Sequence, residues 1–366
     1  MTMFENSGNI LACSAVIGLC AFLLTLLAVP LCKKLAYRIG CIDVPKAEAH
    51  KQHGKTTPLL GGLAMACGWI LTILGGCLAF SMISFADQGT VRSVVSVLPE
   101  LLVLTACAAA AAALGLIDDR KPMKAHTKFA GQFVIALIAV IFGNLRISLF
   151  IPSEIFSCVV TLLWLLFLFN AINFFDNMDG LAVGTATIAF LMFFIAAMVN
   201  GQYFVALLCA CSFGTGAAFW LFNRYPASMF MGDAGSHFLA FLLGVISVKV
   251  TYYNPEIASS RFAVLIPLFI LALPVFDAFA VVLIRLRNHK PIYVGDNNHI
   301  SHRFLKMGFS RAQSVLLVHL LCLFIGLGAL PILWGDWKTC VILFAQGVVF
   351  LTVLSIMQCV SAAHES

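Results

Sequence analysis

Apolar stretches of about 17 to 24 residues recur along the whole chain and are separated by short polar segments. A run of this length is what an α-helix needs to cross the hydrocarbon core of a bilayer. We predict eleven such helices, at residues 9–31, 59–80, 99–117, 129–145, 155–172, 181–199, 202–221, 234–250, 262–284, 312–333 and 338–358. The pattern therefore predicts an all-α polytopic membrane protein.

Composition supports this class, because the 366 residues are 61% hydrophobic and 10% charged and their mean hydropathy is +1.01. A soluble protein would have too much apolar surface to cover. The leader before the first segment contains Glu5 and no Lys or Arg, so we expect this segment to stay as a helix and not to be cleaved as a signal. We find no repeat or linker, and residues 1–366 are expected to form one integral membrane domain.

The basic residues predict an orientation. If the N-terminus is outside, 17 of the 22 Lys and Arg residues fall on inner loops, which are residues 32–57, 118–128, 173–180, 222–233 and 285–311. This asymmetry follows the positive-inside rule and places the C-terminus in the cytoplasm. The net charge of +6 is then concentrated on the inner face of the cell (inner) membrane, where it suits anionic membrane lipids and not nucleic acid.

The usual markers of several enzyme classes are absent from the sequence. There is no GxxxxGK[ST], GxGxxG, HExxH or GxSxG motif, which argues against ATP hydrolysis, Rossmann redox chemistry, zinc proteolysis and serine hydrolysis. The thirteen cysteines lie mostly in apolar segments without CxxC spacing, which argues against disulfides and zinc sites.

Acidic residues collect at the inner surface of this topology. A single aspartate there is most often a solvated helix cap, but the convergence of several argues for a shared site. Asp118 and Asp119 end an Ala-rich helix whose small side chains permit close packing, so it is expected to be central. Asn173, Asp176 and Asp179 would share one face if their turn is helical, and a cap for the next helix is the alternative.

Asp233 stands at a helix start, between Gly232 and the small residues that follow it. Capping alone would explain it, and His237 at i+4 is favoured as a satisfied packing histidine over a residue that orients Asp233. Carboxylates and carboxamides ringed by Lys and Arg suit a magnesium ion that holds polyanionic phosphates, because Mg²⁺ takes oxygen ligands. The residues therefore point to phosphate chemistry at a membrane surface.

Five ordered motifs resemble a known family, and each lies on a predicted inner loop. They are GCIDVPKAEAHKQHGKTTPLLGG, GLIDDRKPMKAHTKFAGQ, NAINFFDNMDGLAVG, FNRYPASMFMGDAGS and HISHRF. Together they resemble the polyprenyl-phosphate N-acetylhexosamine-1-phosphate transferases of glycosyltransferase family 4, which include WecA, TagO and MraY. The resemblance runs over most of the chain.

The resemblance implies transfer of an N-acetylhexosamine 1-phosphate, GlcNAc by default, from a UDP-sugar to undecaprenyl phosphate or another polyprenyl phosphate, with release of UMP. It also implies Mg²⁺ as cofactor, with Mn²⁺ as a substitute, and allows a homodimer. The reaction would be the first membrane step of a cell-surface polysaccharide or cell-wall polymer, at the cytoplasmic face.

The resemblance also assigns roles to residues. It makes Asp233 a magnesium ligand, with Asn173 as a second ligand and Asp176 near the metal and diphosphate. Asp118 and Asp119 would face the acceptor phosphate, one of them as base or nucleophile. The residues that would bind substrate are Lys128, Asp179, Asn223, His299, Ser301, His302 and Arg303. Among these, Lys128 is expected to contact phosphate, and Asp179 and Asn223 to line the nucleotide pocket.

The last motif favours the WecA/TagO-like branch, because HISHRF lacks the triple histidine of MraY-like enzymes. The runner-up is an MraY-type reaction with a muramyl pentapeptide donor. In the favoured branch HxHH is usual, so Ser301 stands in place of a histidine, and we expect an active protein in which Ser301 shares phosphate binding by hydrogen bonding. An ion-coupled transporter is a further alternative, since intramembrane acids such as Asp277 often mark ion paths.

Overall fold

The computed structural model describes residues 2–44, 56–83, 88–147, 149–250, 252, 261–289, 291 and 298–364. Thirteen α-helices are formed there: α1 Thr2–Ile39, α2 Gly61–Ile83, α3 Gln88–Arg120, α4 Ala125–Phe142, α5 Glu154–Phe175, α6 Leu181–Val199, α7 Tyr203–Asn223, α8 Gly232–Lys249, α9 Ile266–Ile270, α10 Ala272–Arg287, α11 Ile300–Lys306, α12 Arg311–Ala329 and α13 Trp337–His364. Short 3₁₀ turns cover Arg261–Leu265 and Leu330–Leu333. The predicted all-α class is confirmed.

Nine helices among the described residues, α1–α7, α12 and α13, are long and apolar enough to cross a membrane. The helix expected at residues 234–250 is formed as α8 but is not one of these nine. Its first and last turns carry Asp233 and Lys249, and these charges lower its mean hydropathy. The multi-pass membrane class is therefore confirmed, while the count of eleven spans and their orientation stay predictions.

The segment expected as one helix at residues 262–284 is broken. The stretch Arg261–Ile270 meets Ala272–Arg287 at Leu271 with a bend of 71°. Pro267 and Pro274 flank the break, and each lacks the backbone N–H that would continue the hydrogen-bond ladder. The predicted segment is therefore not one continuous helix, and whether its two parts cross the membrane as one broken span stays a prediction.

The exterior of the bundle is apolar, as a lipid-facing surface requires. Five leucines of α1, spaced four residues apart, are all exposed: Leu19, Leu23, Leu27, Leu31 and Leu35. In a soluble protein such a stripe would mark a contact with a partner, but on a membrane-spanning helix it faces acyl chains.

Helix α8 lies inside the bundle, in contact with α2, α3, α5, α6 and α7. Glycine permits the closest of these contacts. A Cβ on Gly115 of α3 would lie 2.1 Å from the Asp233 carbonyl oxygen, and a Cβ on Gly62 of α2 would lie 2.1 Å from the Gly235 nitrogen. The predicted close packing of the Ala-rich helix is confirmed, and it brings the start of α8 against α2 and α3.

Backbone hydrogen bonds also fix the start of α8. The N–H groups of Gly61 and Gly62 donate to the carbonyls of Phe230 and Met231 at 3.0 and 2.9 Å. Next to them, Ile42–Asp43 (β1) pairs antiparallel with Thr57–Pro58 (β2). The first motif loop therefore supports the loop that carries Asp233, although its residues 45–55 lie outside the described residues. Asp296, a further acid on the predicted inner loop 285–311, also lies outside them.

Candidate active site

Asp233 is the centre of a polar cluster at one end of the bundle. Its Oδ1 accepts a hydrogen bond from Asn173 Nδ2 at 2.8 Å, and its Oδ2 pairs with Lys128 Nζ at 2.5 Å. The preceding Gly232 has φ +64°, and a Cβ there would lie 2.5 Å from Asp119 Oδ2. Only glycine fits both the left-handed backbone and this contact. Helices α4, α5 and α8 thus meet at one carboxylate.

The two adjacent aspartates at the end of α3 have different partners. Asp119 accepts the backbone N–H of Asp233 on Oδ1 at 2.7 Å and that of Ala234 on Oδ2 at 3.0 Å. Asp118 accepts the N–H of Met123 on Oδ1 at 2.6 Å and pairs with Lys128 through Oδ2 at 2.9 Å. Asp119 therefore satisfies free N–H groups at the start of α8. In this arrangement it supports the site.

Lys128 bridges Asp118 and Asp233 and is only 18% exposed. An ammonium group has three hydrogens, so two carboxylate partners leave one hydrogen for a third acceptor. By contrast, Lys121 and Lys124 are exposed at the surface. Among these three lysines, sequence reasoning chose the one that lies within the cluster.

Asn173 contacts α8 at a second point. Its Nδ2 also donates to Ser236 Oγ at 2.9 Å, and Ser236 Oγ donates to the Asp233 carbonyl at 3.3 Å. These bonds join the end of α5 to the first turn of α8. Asn173 therefore lies beside Asp233, and its role as a second magnesium ligand stays a prediction.

His237 is fully buried one turn after Asp233. Its Nδ1 lies 2.7 Å from the Asp233 carbonyl oxygen and its Nε2 lies 2.9 Å from Gln132 Nε2, so both ring nitrogens are bonded. The Gln132 Oε1 atom in turn accepts from Asn170 at 3.1 Å. His237 is buried with both ring nitrogens bonded, as the favoured prediction requires, but its contact with the Asp233 carbonyl also fits the alternative of a histidine that orients Asp233. Sequence reasoning missed Gln132 and Asn170, although Gln132 ends the second quoted motif and Asn170 begins the third.

Asp176 follows the last residue of α5, and its carboxylate makes no hydrogen bond or ion pair with any described residue. Its pKa is raised well above its ordinary value, first by burial and then by the negative charges of Asp233, Asp119 and Asp179. Three neighbouring carboxylates thus oppose its ionisation. Negative charge is therefore in excess around Asp176.

Asp179 and Asn223 hold two loops together. The turn from Asp176 to Asp179 is not helical, because α5 ends at Phe175 and the N-cap of α6 is Gly180. Asp179 Oδ2 accepts the N–H of Ala227 at 2.9 Å. Asn223 is buried, accepts the Gly180 N–H at 3.0 Å and donates to the Met229 carbonyl at 2.9 Å. Both ends of the Asn223 amide are therefore bonded to backbone.

We expect Asn223→Ala to lower the stability of the protein, because it leaves a buried N–H and a buried carbonyl without partners, at a cost of about 1–3 kcal/mol. Thermal unfolding in detergent would measure the loss. Asn200→Ala is the matched control, since its amide donates to the Ala196 carbonyl of its own helix at 3.2 Å. If the two variants lost the same stability, the hydrogen bonds from Asn223 to Gly180 and Met229 would not contribute more than an ordinary helix-end contact.

The histidine motif HISHRF supplies the N-cap of α11, His299, and the first five residues of that helix. His299 Nδ1 lies 2.7 Å from Asp277 Oδ2, and both side chains are buried. Ser301 is fully buried and its Oγ donates to Asn177 Oδ1 at 2.5 Å. The expectation that Ser301 binds substrate phosphate stays a prediction, because its hydroxyl hydrogen is directed to a loop residue.

The remaining motif residues lie beside these contacts. The rings of His299 and His302 have centroids 6.3 Å apart. Arg303 Nε donates to the Asn298 carbonyl at 3.0 Å. Sequence reasoning missed the partners Asn177 and Asp277, and took Asp277 only as a sign of an ion path. An acid inside an apolar helix near a histidine loop was the signal that could have identified it.

His302 should make the protein less stable as the pH falls from about 6.5 to about 4. Its pKa is lowered from 6.5 to about 4, first by burial and then by His299 and Arg311. In this window the unfolded chain binds a proton that the folded state does not, so unfolding becomes more favourable. The apparent Tm in detergent should fall more for the wild type than for His302→Gln over this range. An equal fall would contradict the lowered pKa.

The donor chemistry around Asp233 suits a magnesium ion. Asp233, Asn173 and Asp176 offer oxygen atoms, which are the ligands that Mg²⁺ takes. The described residues contain no group of three or more His, Cys, Asp and Glu side chains that could hold a metal by itself. A site of this kind fits an ion held by one or two carboxylates together with substrate phosphates. Such an ion would have to compete with Lys128 or Asn173 for the Asp233 oxygens.

Comparison of the sequence with known proteins places the chain in a family. Residues 101–251 match the model of glycosyl transferase family 4. A decaprenyl-phosphate N-acetylglucosaminephosphotransferase of Mycobacterium leprae is 30% identical over 354 residues, which cover 90% of this chain and 86% of that protein. The chain belongs to glycosyl transferase family 4.

Two further relatives align with most of this chain. A probable undecaprenyl-phosphate N-acetylglucosaminyl 1-phosphate transferase of Bacillus subtilis is 29% identical over 348 residues, or 92% of this chain and 90% of that protein. An undecaprenyl-phosphate alpha-N-acetylglucosaminyl 1-phosphate transferase of Escherichia coli K12 is 26% identical over 313 residues, or 82% and 78%. The family resemblance drawn from the motifs is confirmed.

Proposed function

We propose that this protein transfers N-acetylglucosamine 1-phosphate from UDP-GlcNAc to a polyprenyl phosphate and releases UMP, at the cytoplasmic face of the cell membrane. The observation that carries the proposal is the convergence of Asp118, Asp119 and Asp233 with Lys128 at one end of an apolar helix bundle. The relatives are transferases of this kind by name, and they align with most of the chain.

The reaction joins two anions. An oxygen of the acceptor phosphate attacks the β-phosphorus of the UDP-sugar, the bond to the bridging oxygen breaks, and UMP leaves. Such transfers require alignment and electrostatic stabilisation more than covalent chemistry by the protein. A polyprenyl tail confines the acceptor to the membrane, so the polar cluster must lie where its headgroup meets a soluble nucleotide sugar.

Lys128 supplies positive charge at the centre of the cluster. Its ammonium group is held by Asp118 and Asp233, which leaves one hydrogen for a substrate phosphate oxygen. Asp119 fixes the first turn of α8 and so the place of Asp233. These contacts orient the charged groups before the substrates arrive, which is how preorganised electrostatics lowers a barrier.

The proposed cofactor is Mg²⁺, with Mn²⁺ as a substitute. Asp233, Asn173 and Asp176 are the residues that would hold it, and a bound magnesium ion would neutralise charge on the diphosphate. The pKa of Asp176 is raised first by burial and then by the negative charges of Asp233, Asp119 and Asp179, and a divalent cation would relieve the second of these effects.

The donor side would involve the two loop regions. Asp179 and Asn223 hold the loops around Gly180, and α11 carries His302 and Arg303. We propose that these regions contact the UDP-sugar. A UDP-muramyl pentapeptide is the competing donor, and the names of the relatives favour N-acetylglucosamine.

One assay tests the proposal. Purified protein in detergent is incubated with radiolabelled UDP-GlcNAc, undecaprenyl phosphate and Mg²⁺. We expect label to enter the organic phase together with an equal amount of UMP, and no product without acceptor or with EDTA. UDP-MurNAc-pentapeptide replaces the donor in a parallel reaction. Product from that donor alone would overturn the choice of sugar, and UMP without a lipid product would overturn the transfer.

A further inference from the structure

We propose that Asp277 is a positioning residue for the transfer: it fixes the ring of His299 so that Nε2 is the nitrogen presented to substrate. The proposal rests on the proposed function. His299 Nδ1 lies 2.7 Å from Asp277 Oδ2, and the two residues are 4% and 1% exposed. The pair is thus shielded from water, and a hydrogen bond to a carboxylate is stronger in such a buried environment than in water.

The chemistry of the pair determines which ring nitrogen is free. An ionised carboxylate only accepts hydrogen bonds, so Nδ1 must carry the hydrogen that lies between them. A neutral ring then has its lone pair at Nε2, and a protonated ring has a second N–H there. Among the described residues, His299 Nε2 has no hydrogen-bond partner. It is also not among the fully buried side-chain atoms that lack a partner, so part of its surface is accessible. It is therefore the atom that a substrate phosphate can meet.

The same carboxylate also fixes the helix that carries the motif. Asp277 Oδ1 accepts the backbone N–H of Ile300, the first residue of α11, at 2.7 Å. On its other side, α11 is tied to the loop after α5 by the bond from Ser301 to Asn177. The histidine helix is thus held between α10 and the loop that bears Asp176 and Asp179. One buried acid sets both the ring and the start of the helix.

Asp277→Asn separates these two roles. The asparagine oxygen can still accept the Ile300 N–H, but its NH₂ group would face Nδ1, which must then become an acceptor. The ring hydrogen moves to Nε2, so the wrong tautomer meets the substrate. We expect kcat/KM for UDP-GlcNAc to fall about 100-fold or more, while the apparent Tm stays within a few degrees of wild type.

A double-mutant cycle shows whether Asp277 acts through His299. His299→Ala and the double variant Asp277→Asn/His299→Ala are measured beside Asp277→Asn. We expect the double variant to equal His299→Ala within about twofold, because the removed ring has nothing left to orient. The proposal would be overturned if the loss of kcat/KM in the double variant equalled the product of the two single losses. An Asp277→Asn enzyme with unchanged kcat/KM would also overturn it. A loss explained entirely by a smaller folded fraction, with KM and kcat per folded molecule unchanged, would also overturn it.

A spectroscopic readout separates this proposal from the assigned reaction. Selective ¹⁵N-histidine labelling reports the tautomer of each ring, and the His299 signals are assigned by their absence in His299→Ala. We expect Nδ1 of His299 to carry hydrogen in the wild type and to lose it in Asp277→Asn. A wild-type ring with hydrogen on Nε2 alone would overturn the positioning role. A protein with the expected tautomer that turns over no UDP-GlcNAc would overturn the proposed function instead.

Discussion

Asp233→Asn is expected to lower turnover by about a thousandfold while the protein still folds. Asparagine preserves the size of the side chain and accepts the hydrogen bond from Asn173, but it removes the charge that holds Lys128 Nζ at 2.5 Å. It also removes the carboxylate that is proposed as the main oxygen ligand of a magnesium ion. Initial rates over a range of Mg²⁺ concentrations, together with the apparent Tm, would measure both effects.

Asp336→Asn is the control for this loss of charge. Asp336 is exposed beyond the far end of α12, where its Oδ1 accepts from the Thr339 N–H at 2.9 Å. We expect it to retain wild-type turnover within about twofold, since surface changes away from such a site have small effects. If Asp233→Asn kept more than about half of the activity at low Mg²⁺, the assignment of Asp233 as a metal ligand would be wrong.

Asp119→Ala is expected to lower both turnover, by about a hundredfold or more, and stability, by about 1–2 kcal/mol. The substitution leaves the N–H groups of Asp233 and Ala234 without their acceptor. The first turn of α8 then loses the contact that holds Asp233 in place. Activity and thermal unfolding in detergent should therefore fall together.

Asp119→Asn distinguishes a supporting role from a covalent one. Its single amide oxygen can accept one of the two N–H groups, so we expect stability between those of the wild type and Asp119→Ala. In the wild type, mass spectrometry after incubation with UDP-GlcNAc and no acceptor should find no phosphosugar on Asp119. A covalent adduct there, with a variant of native stability and no activity, would show that Asp119 is the nucleophile.

The local sequence predicts the helices because an apolar segment in a bilayer has no water to satisfy its backbone hydrogen bonds. Apolar runs long enough to span a membrane must satisfy their backbone hydrogen bonds internally, so the pattern alone predicts where α1–α7 lie. The acids also stood out, because a charge is costly in an apolar helix and rarely occurs without a purpose. Asp118, Asp119 and Asp233 were therefore identified as one group before the fold was known.

Tertiary structure alone decided what each of these residues contacts. No periodicity predicts that Asp119 accepts two N–H groups from α8, since the partners are more than a hundred residues apart in the sequence. The break at Leu271 and the pairing of Asp277 with His299 are of the same kind. A hydrogen bond requires its donor and acceptor to be placed to within a few tenths of an ångström. Between two helices, this placement follows from the packing of the whole helices. The sequence by itself determined which polar residues would share one end of the bundle, and only the packing decided which of them are free to meet a substrate.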